Sequence, residues 1–391
     1  MKVLHVFNYA WPWIDGYVVR SIGLTAAQRG TLGYDTHHAV SPFKPLAKGR
    51  DEDFVLPTWG PGEQTRVEAS REPGGLQPTG LERPGLGVAP LTNREYRRGL
   101  EALIEQHRPD VVHAHHPSYN ARPAMDVARR MDVPGVYELR CFNGDYDLGN
   151  GAYADARGRW INRLELDCCR AASAVVTIGD KLAERITASG KTAAVVRNAV
   201  DTELFKPKPS VVNRTLTVGY ATTFERMENL DAMIDAAAEL KAAGFPVRVK
   251  LAGAGRDWDR IAALRVERQV EDVVELPGFV PYGQMPDWYR SLDLFVVPRG
   301  RSELTKDTTP LKPLEALACG VPVLCSDLPA MRELLGKMGD AVRFVEPTGG
   351  DIAREVRAFT DAPWSARRVD LGERAWSSEV RKYERVYGEL L

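Results

Sequence analysis

No long apolar run exists anywhere in this chain. Its first residues, Met1 to Tyr9, are interrupted by His5 and Asn8, so they lack the continuous segment of a secretory signal, and no other run approaches a membrane span. Cysteine is scarce. The five present include the adjacent Cys168 and Cys169 and form no Cys-x-x-Cys, which excludes a disulfide framework and a zinc-ribbon pattern. A reduced, cytoplasmic protein is the simple expectation. Charge of one sign is missing too: a formal net charge of −1 gives no general attraction to nucleic acid or to acidic membranes.

What is present is apolar residue in short, repeated doses. At 391 residues and 44% hydrophobic content, the chain exceeds what one core usually serves, and two domains are expected. Val3–Asn8 reads as a buried strand, followed by a turn at Gly16, a helix from Val18 to about Leu32, and a strand at Thr36–Val40. Strands at 110–115, 135–139 and 174–178, with a helix at 119–131, continue the alternation. A fresh set begins at 216–221 and runs through strands at 247–253, 273–278, 294–298 and 322–326. Such alternation predicts parallel, doubly wound α/β sheets. Residues 195–207 hold the linker, which sets domains at 1–197 and 198–375. Between Pro45 and Pro90 no period is sustained, so a long surface excursion with one short strand near Phe54-Val55 is expected. Residues 143–158 are glycine-rich and suited to a lid.

The densest chemistry lies in Asp307-Thr-Thr-Pro-Leu-Lys-Pro-Leu-Glu315, where two carboxylates flank a turn that leads into an apolar helix. The backbone N–H groups of Thr308, Thr309 and Leu311 precede that helix and are candidates to meet an anion. Pro310 and Pro313 stiffen the turn. Arg299 follows a strand end and Lys312 adds a cation at the helix start, where α/β folds bind ligands.

These residues, with the Ala-rich helix and the Gly-Val-Pro-Val that follows, resemble the retaining glycosyltransferases of the GT-B fold, in the large group called family four. Asp307 stands where that family usually has Glu. The run Val-Pro-Arg299 before Thr309-Pro-Leu-Lys-Pro-Leu-Glu315, and Asp15-Gly16-Tyr17 near the amino terminus, look most like the subset first noticed beside exosortase clusters. The resemblance implies two Rossmann-like domains facing a central cleft, with a C-terminal helix over 376–391 crossing back onto the first. It also implies a nucleotide-sugar donor, UDP- or GDP-linked, bound without a metal or other cofactor.

Roles carried over by the resemblance follow the residues. Glu315 would accept from the ribose hydroxyls, Asp307 from those of the donor sugar, and His115 would line the reaction centre. Arg299 and Lys312 would neutralise the leaving diphosphate, with Gly16 close to it. Relatives place an Arg and a Lys in the first turn of the second domain; here that turn reads Thr222-Thr-Phe-Glu-Arg226-Met-Glu-Asn229, with Arg226 as its cation and a Glu in place of the Lys. Gly278, Phe279 and Val280 match the loop beside the nucleobase. Tyr9, Trp11, Trp13 and Tyr17 cluster in the first loop, and either stack on an acceptor or plug the space between helices.

His113, His115 and His116 raise a metal reading, since two of them share a strand face, but no third ligand has diagnostic spacing. Asp145-Tyr-Asp147 imitates a metal-binding Asp-x-Asp, as do two other acid pairs in the chain, so no essential metal is expected. A small-molecule or glycan acceptor completes the reading. Two alternatives stay open: a nucleotide-sugar 2-epimerase, and a silent sugar-nucleotide-binding protein.

Overall fold

The computed structural model describes residues 1–8, 15–41, 64–66, 89–145, 155–207, 215–366 and 369–391. Its chain divides into two compact units, one formed by Met1–Gly144, Ala156–Val196 and Val380–Leu391, the other by Asp145–Asp155 and Arg197–Glu379. The first unit contains β1 (Lys2–Phe7), α1 (Gly16–Leu32), β2 (Asp35–Val40), β3 (Gln64–Arg66), α2 (Ala89–His107), β4 (Val111–His115), α3 (Ser118–Arg130), β5 (Gly135–Leu139), α4 (Asp155–Ala171), β6 (Ala174–Thr177), α5 (Asp180–Ile186) and β7 (Ala193–Val195). Its strands run parallel in the order β3-β2-β1-β4-β5-β6-β7.

The second unit contains β8 (Leu216–Ala221), α6 (Leu230–Ala242), β9 (Val247–Ala252), α7 (Trp258–Glu267), β10 (Val274–Gly278), α8 (Met285–Arg290), β11 (Leu294–Val297), α9 (Glu303–Asp307), α10 (Lys312–Ala318), β12 (Val323–Ser326), α11 (Pro329–Leu335), β13 (Val342–Val345), α12 (Gly349–Asp361) and α13 (Trp376–Glu379). Its parallel sheet has the order β10-β9-β8-β11-β12-β13. After it comes α14 (Lys382–Gly388).

The central strands are buried on both faces, which is why they read as apolar runs: every residue of β4, β5, β11 and β12 is buried. Each sheet reverses its strand order once, between β1 and β4 in the first unit and between β8 and β11 in the second. Loops that leave the carboxyl ends of these strands meet where doubly wound sheets bind ligands. In the first unit Asn8 and His115–His116 leave there, and in the second Thr222–Asn229 and Pro298–Arg299.

Several expectations are corrected. The single helix over 376–391 is two short ones, α13 and α14, broken at Val380–Arg381. Gly16 is the first residue of α1, capped by Asp15, whose carboxylate accepts from Val18 N at 3.0 Å; its φ is not positive, and a Cβ there would meet no described atom. Within 45–90 the described strand is β3, and Phe54 and Val55 lie outside the described residues. No helix among the described residues is long and apolar enough to cross a membrane.

Candidate active site

In the second unit the residues that follow β8 and β11 are bolted together. Asn229, in the left-handed conformation at φ 52, donates its side-chain amide to Pro298 O (2.9 Å) and Pro347 O (3.0 Å), and Gly300 N reaches Met227 O at 3.1 Å. Gly253 shows why this end of the sheet needs glycine: at φ 133, an added Cβ would lie 1.8 Å from Thr222 O.

Arg299 is not the solvent-facing cation that its place at a strand end suggests. It is 7% exposed and clasps Glu228, with Nε 3.1 Å from Oε2 and Nη2 2.8 Å from Oε1, while Nη1 donates to Thr308 O at 3.3 Å. The Tyr220 hydroxyl donates to the same carboxylate. Burial alone would raise the Glu228 pKa, but Arg299 outweighs it and brings it down to about 2. Lys312 is half-buried, 3.4 Å from Thr222 Oγ1, and its charge also bears on Glu228 and Glu315.

Glu315 lies on α10 and is 6% exposed, its Oε2 accepting from the Tyr289 hydroxyl at 2.7 Å. Burial raises its pKa, and Tyr289 and Lys312 oppose that rise. Asp307 is buried at the end of α9. The anion-facing amides are partly spoken for. Thr308 N donates to Leu304 O at 2.9 Å inside α9, so it is not an open donor. Thr309 accepts Asn198 Nδ2 on its carbonyl (2.7 Å) and hydroxyl (3.2 Å), and Leu311 caps α10 with its carbonyl.

The other residues of the second unit fall around this centre. Arg226 is 64% exposed and lies 3.8 Å from Asp257. Gly278 closes β10 at φ 80, and its carbonyl accepts from Gly253 N at 2.7 Å. Phe279 next to it is 49% exposed, while Val280 packs against the core.

In the first unit His115 is fully buried and stacked on Phe7 and His113. The third histidine that sequence spacing did not supply is His5, from β1: His5, His113 and His115 each offer a ring nitrogen within 4.8 Å of the others. Their hydrogen bonds form one chain. His115 Nδ1 faces Arg140 Nη2 (2.9 Å) and Glu138 Oε1 (3.3 Å), and its Nε2 meets His5 Nδ1 (2.9 Å). His5 Nε2 meets Gln28 Oε1 (2.7 Å), Gln28 Nε2 donates to the Tyr387 hydroxyl (3.0 Å), and that hydroxyl meets His113 Nδ1 (2.7 Å). His113 Nε2 ends the chain without a hydrogen-bond partner, 3.9 Å from Glu138. Burial lowers the pKa of all three, that of His115 to about 4, so the rings are neutral. With Arg20 and Arg140 both against Glu138 beside them, this centre is a poor host for a cation.

Tyr17 is half-buried, its hydroxyl taking Asn8 N at 2.9 Å and its ring lying 4.3 Å under the Arg140 guanidinium. Tyr9, Trp11 and Trp13 lie outside the described residues, as does Asp147; Asp145 is buried. His116 is held by Asn143 at 3.0 Å and faces Glu165 at 3.7 Å. Sequence reading missed Glu228 as a partner, along with Thr222, Asn198 and Tyr289. One signal existed: an arginine at the end of a buried strand needs a counter-charge, and Glu228 sits in the other loop at the same sheet end.

Comparison with known proteins follows the same two halves. Residues 22–199 match the model of a glycosyl transferase 4-like domain, and residues 201–377 match glycosyl transferases group 1. A D-inositol 3-phosphate glycosyltransferase of Catenulispora acidiphila is 26% identical over 330 residues, 77% of each chain. Other curated relatives are matched over about half their length, 47% and 53% for two of them. Among solved structures, sucrose-phosphate synthase from Thermosynechococcus elongatus superposes with a TM-score of 0.76 at 14% identity, covering 100% of this chain and 99% of the other. HepE from Anabaena, solved in complex with UDP, gives 0.66 at 15% identity with the same coverage. At these identities the two structures establish a common GT-B fold.

Proposed function

Because the chain belongs to the group 1 glycosyltransferases, we propose that it moves a sugar, with retention at the anomeric carbon, from a nucleoside diphosphate to a small soluble or glycan acceptor. One observation carries this reading: around the carboxyl ends of β8 and β11 the second unit gathers two cations, Arg299 and Lys312, and, besides the Glu228 that Arg299 clasps, the buried acids Asp307 and Glu315. Glu315, oriented by Tyr289, accepts from the two vicinal ribose hydroxyls. Asp307 accepts from hydroxyls of the donor sugar, and the loop at Gly278–Val280 takes the base. UDP is the first nucleotide to try, since HepE binds it.

In the transfer itself the bond from the anomeric carbon to the phosphate oxygen breaks, and the acceptor nucleophile bonds to the same face. The departing phosphate oxygen takes the acceptor's proton. Charge grows on the diphosphate as this happens, and Arg299 and Lys312 stabilise it in place of a metal ion. No strongly basic protein side chain is needed. His115, expected to line the reaction centre, is fully buried and neutral in its chain of hydrogen bonds, so it supports the sheet end of the first unit and neither touches the acceptor nor abstracts a proton.

Thermal-shift measurements with UDP and GDP test the reading first, because a ligand of the folded state raises its apparent stability. A shift with one nucleotide, and turnover that survives EDTA, are expected. No shift with either, or turnover that is lost on chelation and restored by magnesium or manganese, would overturn the assignment.

A further inference from the structure

The clasp between Glu228 and Arg299 reaches beyond that reading, although it rests on the same donor site. Glu228 ends a 3-10 turn, Arg226–Glu228, whose neighbours are tied to the end of β11 by Asn229 to Pro298 O and by Gly300 N to Met227 O. The acid and the arginine are therefore held at a fixed separation by backbone, and their side chains meet through two parallel contacts of 3.1 and 2.8 Å. The third contact, from Nη1 to Thr308 O, ties the guanidinium to the residue that follows Asp307. These three bonds use three of the five N–H groups of the guanidinium. Glu228 is 2% exposed and engaged by Arg299 and Tyr220.

We propose that Glu228 is a positioning residue of the transfer reaction, which fixes one edge of Arg299 so that the guanidinium meets the leaving diphosphate from one place, and through Thr308 sets the segment bearing Asp307. Opposite charges this close form a nearly neutral pair at long range. The pair attracts an anionic donor weakly, yet its cation acts at contact distance on charge that develops only during transfer. A consequence separates this role from simple support of the fold. Neutralising Glu228 leaves a bare, less well-placed cation, so nucleotide binding stays the same or tightens while turnover falls.

The test compares wild type with Glu228→Gln, Glu228→Asp and the double variant Glu228→Gln/Arg299→Met, which removes both charges and orphans neither. Calorimetry uses UDP and GDP, and turnover is followed as release of that nucleotide from its sugar-linked form. For Glu228→Gln we expect turnover to fall about 100-fold, the order seen when one fixed donor to a developing charge is lost. Its nucleotide Kd should be unchanged or lower, Glu228→Asp should recover part of the rate, and the double variant should be as slow as the single one. Wild-type turnover in Glu228→Gln, with a slow double variant, overturns the positioning role and leaves the donor site standing. Parallel loss of turnover, nucleotide affinity and melting temperature without recovery in Glu228→Asp also overturns it, in favour of a purely structural pair. Wild-type turnover in the double variant, or no binding of either nucleotide to wild type, removes Arg299 and the donor-site reading itself.

Discussion

In each unit two buried glutamates, Glu138 and Glu165 in the first and Glu228 and Glu315 in the second, are held differently. Glu138 in the first is clasped by Arg20 at 3.1 Å and Arg140 at 2.7 Å, with the Tyr383 hydroxyl on its other oxygen; Glu228 in the second is clasped by Arg299, with Tyr220 in support. Glu165 and Glu315 are each bonded by a tyrosine hydroxyl, Tyr137 and Tyr289, with no arginine in contact. Burial pushes all four carboxyls up. Arginine overcomes that push, and Glu138 and Glu228 end well below the usual carboxylate range. Tyrosine does not: Glu165 is pushed up to about 7, and Glu315 stays raised even with Lys312 nearby. A full counter-charge compensates for lost hydration where a neutral donor cannot. The arginine-held acids are fixed charges, and the tyrosine-held ones can respond to pH or to a ligand.

The largest effect should come from the fixed charges. Glu138→Ala leaves two buried arginines without their acid and should cost about 3–5 kcal/mol in denaturant unfolding, whereas Glu165→Gln at neutral pH should be neutral or stabilising. Equal costs for the two would break the distinction.

Next is a pH dependence of opposite sign in the two classes. Folded Glu165 keeps its proton to about pH 7, while the unfolded chain releases it near 4.5. Its contribution to stability is therefore full below 4.5 and lost as pH rises through 7, a change of roughly 3 kcal/mol at most. Glu228, with its folded value near 2, contributes above 4.5 and loses that contribution as pH falls. Melting curves of wild type and Glu165→Gln between pH 5 and 8 isolate the first term, which should vanish in the variant.

A smaller effect sharpens the comparison at the donor site. Glu315→Gln should weaken UDP or GDP binding by about 1.5–3 kcal/mol without loss of stability, because the charge that burial disfavours is the one the ribose uses. Calorimetry on the folded variant decides it, and unchanged affinity removes Glu315 from the site. Smallest of all, Tyr289→Phe should cost about 0.5–1.5 kcal/mol of nucleotide affinity through lost orientation of Glu315. A loss as large as that of Glu315→Gln would mean that the hydroxyl itself touches the ligand.

Much of the architecture was legible because its cause is local. A strand buried on both faces must be an apolar run, so β5 at Gly135–Leu139 and β8 at Leu216–Ala221 stand out in the sequence with their observed bounds. The short strands β7 (Ala193–Val195) and β13 (Val342–Val345) at the edges of the sheets carry too few apolar residues to announce themselves, and the break between α13 and α14 has no proline or glycine to mark it. The turn from Asp307 to Glu315 was legible as well, since proline, acid and helix start lie within one short stretch.

The sequence by itself determined the alternation of strand and helix, the two parallel sheets that follow from it, and the acids that flank one turn. Tertiary structure alone decided which buried group meets which. Glu228 and Arg299 are 71 positions apart, His5 and His115 are 110, and Tyr383 and Glu138 are 245. Hydrophobic period is a property of neighbours along the chain, and it survives in the sequence. The ionisation of a buried acid depends on whichever donor the fold brings against it, at distances where a single ångström changes the outcome, and no local pattern records that.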